Sequence, residues 1–132
     1  MDELQSKYFE YKIKGYCCSQ ILLQLGVDQK DGENQGVINA VEALCNGFFT
    51  GRLCGALTGG ACLMSYLVPK RAVSRGLITE LFDWFESEFS YLDCNELLKG
   101  NPLAKIELCP VMVERTYEKV MELLDDIGYC PL

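Results

Sequence analysis

Sulfur is the chemistry this chain offers, because it carries eight cysteines and no histidine. Without imidazole there can be no Ser-His-Asp or Cys-His catalysis, no histidine metal ligand and no His-ligated haem. No CxxCH haem-attachment run occurs either. Thiolate chemistry remains: an iron–sulfur cluster, a zinc ion, or a dithiol–disulfide couple. Four cysteines stand out by position. Cys18 follows Gly15 at an expected helix start, and Cys54 follows a glycine-rich turn at another. Cys94 leads Asn95-Glu96-Leu97-Leu98, and Cys109 stands just ahead of Pro110 at an expected N-cap. Free backbone N–H groups at a helix N-terminus stabilise an anion and lower a thiol pKa.

The four are 36, 40 and 15 positions apart and no CxxC occurs, so only the tertiary fold can gather them. Chance placement near helix ends is the competing explanation in a chain so rich in cysteine. Cys45 and Cys62 fall on apolar helical faces, where cysteine acts as a small hydrophobe. Cys130 belongs to a C-terminal tail expected to fray, and a vicinal Cys17–Cys18 bond would be strained.

The elements that must position these sulfurs read as helices almost throughout, with no sustained period-two pattern. Leu4, Tyr8, Tyr11 and Ile13 mark a first helix ended by Gly15. A short second helix, Cys18 to Leu25, is expected to stop at Gly26, followed by a polar loop over 27–32. Val37, Val41, Leu44 and Phe48 predict a third helix, running into a turn from Asn46 to Gly51. Cys54 to Val68 forms an apolar fourth helix ended by Pro69. Arg71 to Phe89 forms a fifth, with Leu77, Leu81, Trp84 and either Phe85 or Phe89 on one face. That face serves either the chain's own core or a homodimer. One helical turn follows at Cys94–Leu98, and a last helix is expected from Pro110, a favoured first position, to Asp126. The result is an all-α, single-domain bundle of about five to six helices over residues 1–132. Gly51, Gly55 and Gly59, with Gly60 beside them, make a stripe that admits a neighbouring backbone or a cofactor. Gly55 could also aim an N–H at the Cys54 sulfur.

Composition closes other classes. A net charge of −7 with scattered basic residues argues against nucleic acid. The uncharged run from Leu53 to Val68 is shorter than the roughly 20 residues a membrane span needs, so a buried core helix is expected. The charged N-terminus has no apolar leader pattern, which points to the cytoplasm, where thiols stay reduced.

Cys54-Gly55-Ala56-Leu57-Thr58-Gly59 resembles the CGAxxG signature of the redox-active protein family named for its C_GCAxxG_C_C pattern. Gly15-Tyr16-Cys17-Cys18-Ser19-Gln20 is similar to that family's first site, selecting Cys18, with Cys17 where asparagine is usual. Gly47-Phe48 and Gly51 resemble its glycine-rich lead-in, although with fewer glycines. Cys94-Asn95-Glu96-Leu97-Leu98 resembles its Cys-x-x-Leu-Leu site, and Cys109 its last cysteine. The resemblance covers nearly the whole chain and selects the same four cysteines as the helix-start argument. Cys17 is then an extra thiol able to compete for a ligand position.

The resemblance implies a redox role, with members often near transporter genes. A similar domain in split-Soret type cytochromes is associated with a [2Fe–2S] cluster. The leading expectation is therefore an electron-transfer or redox-sensing protein that works with a partner protein. Cys18, Cys54, Cys94 and Cys109 would hold a [2Fe–2S]-type cluster, with Gly55, Gly59 and Cys17 in support. The alternatives are a metal-free thiol–disulfide oxidoreductase or sensor, and a structural zinc module associated with a transporter.

Overall fold

The computed structural model describes residues 3–30 and 32–129, so Cys130 lies outside the described residues. Seven α-helices occur among the described residues: α1 (Glu3–Ile13), α2 (Cys18–Lys30), α3 (Gln35–Ala40), α4 (Gly55–Leu67), α5 (Arg71–Phe89), α6 (Cys94–Leu97) and α7 (Lys105–Asp125). The all-α expectation holds. The count exceeds five to six because the one-turn α6 stands as a helix of its own.

α4 is the central helix. Leu57, Leu63 and Met64 are fully buried, and Gly55 to Gly60 are enclosed without interruption. A helix apolar on nearly every side belongs inside a core, and here α2, α5 and α7 surround it. No helix among the described residues is long and apolar enough to cross a membrane. α5 turns Leu77, Leu81 and Phe85 inward, with Trp84 half-buried against Phe85 and Phe89.

Three expectations need correction. Gly26 does not stop α2, which runs on to Lys30 through fully buried Val27. A Cβ at Gly26 would overlap the Leu63 side chain of α4, so this glycine permits a helix crossing. The third helix does not continue to Phe48: α3 ends at Ala40, and a tighter 3-10 turn covers Val41–Leu44. Asn46, Gly47, Phe48 and Phe49 then take left-handed φ values of 52°, 62°, 60° and 59°, leaving both phenylalanines largely exposed. A Cβ at Gly47 would lie 2.7 Å from the Arg52 nitrogen, so the turn closes only on glycine there.

The last helix starts before Pro110, at Lys105, and Pro110 lies inside it. The start signal is Asn101-Pro102. The Asn101 side chain accepts from Leu103 N–H at 3.1 Å, and a 3-10 turn over Pro102–Ala104 leads into α7. Cys109 is therefore a fifth-position residue of α7 and not an N-cap.

Candidate thiol site

Two close contacts bring the sulfurs together. The first is α4 against the start of α2. A Cβ at Gly59 would sit 2.6 Å from Ser19 Cα, and one at Gly55 would meet Leu44 O at 3.1 Å and Cys18 Cβ at 3.8 Å. Absent side chains at Gly55 and Gly59 thus bring Cys18 beside Cys54. The rest of the glycine stripe serves other contacts: Gly60 faces Thr116 and Leu81, while Gly51 lies outside the helix, against the Asn95 side chain.

The second contact is an isolated antiparallel bridge between Leu53 and Asp93. Cys54 N–H donates to Leu92 O at 2.7 Å, and Cys94 N–H donates to Arg52 O at 2.7 Å. The left-handed turn at 46–49 delivers Arg52 to this bridge. Cys54 then caps α4 and Cys94 opens α6, side by side. Three of the four cysteines hold helix-start positions, and Cys109 reaches the site from within α7.

The four line one cavity of about 70 Å³, with Cys17, Lys12, Asn46, Gly55, Leu97, Leu98, Lys105 and Met112 completing its wall. Ligand pockets for drug-sized molecules run to roughly 300–1,000 Å³, so only a small occupant fits here. Two lysines and no carboxylate line it, although the chain as a whole is acidic. Within it the thiols act on one another chiefly as two pairs, Cys18 with Cys109 and Cys54 with Cys94, each pair sharing a proton. Among the described residues no three His, Cys, Asp or Glu side chains converge to hold a metal ion as they stand.

Each pair is electrostatically unequal. The hydrogen bond with Cys54 brings the Cys94 thiol down to about 7, and the Gly55 amide and Lys105 act in the same direction. Its partner is raised, by that same hydrogen bond and by burial, even though the Ala56 and Leu57 amides favour its thiolate. The pair with Cys18 lowers Cys109, aided by Lys12 and Lys105, while Cys18 is raised by its partner and by burial. Proton sharing explains the asymmetry: one sulfur of each pair donates while the other accepts. The Gly55 amide therefore serves Cys94, where the sequence reading aimed it at Cys54.

Sequence reasoning missed Lys12, Lys105 and Tyr8. Lys12 lies four residues after Tyr8 on α1, and Lys105 lies four before Cys109 on α7, so each shares a helical face with a residue at the site. The buried Tyr8 phenol is raised first by burial and then by the nearby Cys18 and Cys109. Lys105 Nζ also donates to the Asn46 side chain at 2.7 Å, joining α7 to the left-handed turn.

The reading of Cys45 as apolar filler also changes, because Cys45 forms a disulfide with Cys17 across a Cα–Cα distance of 5.7 Å. Nothing in the local spacing reveals that partner. Cys62 is a free, half-buried thiol among Leu23, Ala61 and Tyr66, away from the cavity.

Residues 16–123 match the family model described as Putative redox-active protein (C_GCAxxG_C_C). No curated protein and no solved structure gives a significant match.

Proposed function

Because the chain belongs to the C_GCAxxG_C_C family of redox-active proteins, we propose that Cys18, Cys54, Cys94 and Cys109 hold a [2Fe–2S]-type cluster for electron transfer or redox sensing. The observation that carries this reading is the gathering of four free thiols on the wall of one small cavity, where they act on one another chiefly as two pairs. A [2Fe–2S] centre asks for two thiolates on each of two irons, whereas a structural zinc asks four to converge on one point. The donor set fits in other respects. The amides of Gly55, Ala56 and Leu57 face sulfur, and Lys12 and Lys105 offset the negative charge that four thiolates bring. When bound, the cluster would supply a one-electron couple.

The residues of the chain would set its environment. Cys54, at 2% exposed, anchors the buried side, and half-buried Cys18, Cys94 and Cys109 lie nearer the surface, where a partner protein would reach the cluster.

A second reading is favoured by the shared proton within each pair. Thiols so placed suit dithiol–disulfide chemistry without metal, with Cys94 and Cys109 as the more nucleophilic members. Single serine substitutions distinguish the two. Replacing any one of Cys18, Cys54, Cys94 or Cys109 should abolish or strongly alter visible cluster absorbance, while Cys62→Ser leaves it unchanged. Full absorbance in all four variants would refute the ligand assignment.

A further inference from the structure

The Cys17–Cys45 disulfide stands outside the four-thiol set, yet Cys17 lines the same cavity. Its surroundings are polar in a way that apolar packing around a disulfide does not require. Ser19 Oγ lies 3.1 Å from Cys17 Sγ and 3.9 Å from Cys45 Sγ, and Gln20 Oε1 lies 4.0 Å from Cys45 Sγ. Both side chains are buried. Ser19 spends its proton on Val41 O at 3.0 Å, which leaves its oxygen as an acceptor towards sulfur. Gln20 donates its amide to Ile38 O at 3.2 Å, which aims Oε1 back at Cys45 and at Cys17 N–H. A disulfide has no proton to give these oxygens. A dithiol has two, and each sulfur already has an acceptor in place. The same pocket therefore accommodates both oxidation states.

We propose that Cys17 and Cys45 form a second redox couple, which exchanges with the Cys18/Cys109 pair across the shared cavity in the metal-free chain. The inference rests on the pocket thiols being redox-active. In the first step the Cys109 thiolate attacks Cys17 Sγ. The Cys17–Cys109 bond forms, the Cys17–Cys45 bond breaks, and Cys45 leaves as a thiolate that takes up the proton Cys109 gave to solvent. Next the Cys18 thiolate attacks Cys109 Sγ, closing Cys18–Cys109 and releasing Cys17, which takes the proton from Cys18. Two electrons pass from one pair to the other, and no outside oxidant or reductant is consumed. Opening Cys17–Cys45 also frees the segment before Cys18 from the segment before the left-handed turn, so the couple's state bears on how the cavity is held.

The test uses the full chain, reduced and stripped of metal, given one equivalent of diamide per chain at pH 8. Samples are acid-quenched over time, alkylated and mapped by tandem mass spectrometry. Cys17–Cys45 and Cys18–Cys109 should both appear, their ratio relaxing to a constant value at a rate independent of protein concentration while total thiol stays fixed. Cys109→Ser should stop the relaxation and retain Cys17–Cys45, and Cys45→Ser should accumulate Cys18–Cys109; far-UV circular dichroism checks that each variant is helical. A frozen ratio, or Cys17–Cys45 alone at every time, overturns the exchange. If Cys45→Ser also gains no Cys18–Cys109 bond, the dithiol reading of the pocket fails with it. If that variant oxidises normally, only the exchange is refuted.

Discussion

The two thiol pairs share one cavity but are assembled by different means. Cys54 and Cys94 are held by backbone, through two 2.7 Å hydrogen bonds of the Leu53–Asp93 bridge, with amides facing both sulfurs. Cys18 and Cys109 come from the start of α2 and the body of α7, and no backbone hydrogen bond among the described residues joins their segments. Their meeting depends on how α2 and α7 pack against α4. One pair is set by local geometry, the other by the core. Perturbing the core should therefore reach Cys18 and Cys109 first.

The largest effect is expected at Gly59, where a side chain must push α2 off α4. Gly59→Leu should destabilise by about 3 kcal/mol or more, since inserted methylenes here meet backbone and not a flexible side-chain end. A urea-unfolding midpoint measures this. In the folded remainder, differential alkylation should show Cys18 exposed while Cys94 keeps its rate.

Next in size is the reactivity of Cys94 in the metal-free chain. The thiolate is the nucleophile, so alkylation rises with pH and should be half-maximal near pH 7, below the ordinary value of about 8.5. Cys18 and Cys54, both raised, should react only at higher pH. Cys54→Ala removes the main cause of the lowering and should slow Cys94 roughly tenfold at pH 7. Cys109→Ala should leave that rate nearly unchanged if the pairs are as separate as their construction implies. A smaller change is expected from Lys105→Gln, which withdraws a charge acting on both Cys94 and Cys109 and should slow the two together by a few-fold. The smallest is Gly76→Ala on exposed α5, where a Cβ meets nothing within 4 Å. It should stabilise by about 0.5–1 kcal/mol in the same urea experiment.

The contrast between the pairs also explains what the sequence made legible. Apolar spacing located α4 and α5 because burial on one helical face repeats every three to four residues. The four cavity cysteines were legible from helix-start signals around three of them, together with the CGALTG string. Cys109 lines the cavity from inside α7 and not from an N-cap; Pro110 looks like a first helical residue unless Asn101-Pro102 is weighed against it. Gly26 looked like a stop because its partner, Leu63, is distant in sequence. The Cys17–Cys45 bond and the division into pairs lay beyond reach for the same reason, since both depend on segments that only tertiary packing brings together.

If Cys18, Cys54, Cys94 and Cys109 hold a [2Fe–2S]-type cluster as proposed, the purified protein should carry iron and sulfide. Protein purified without air and analysed for iron, acid-labile sulfide and zinc, beside its visible spectrum, tests this most directly. The expected result is brown protein with iron and sulfide in equal amounts, about two of each per chain, bleached by dithionite. Colourless protein carrying one zinc per chain and no sulfide, with no response to dithionite, would contradict it.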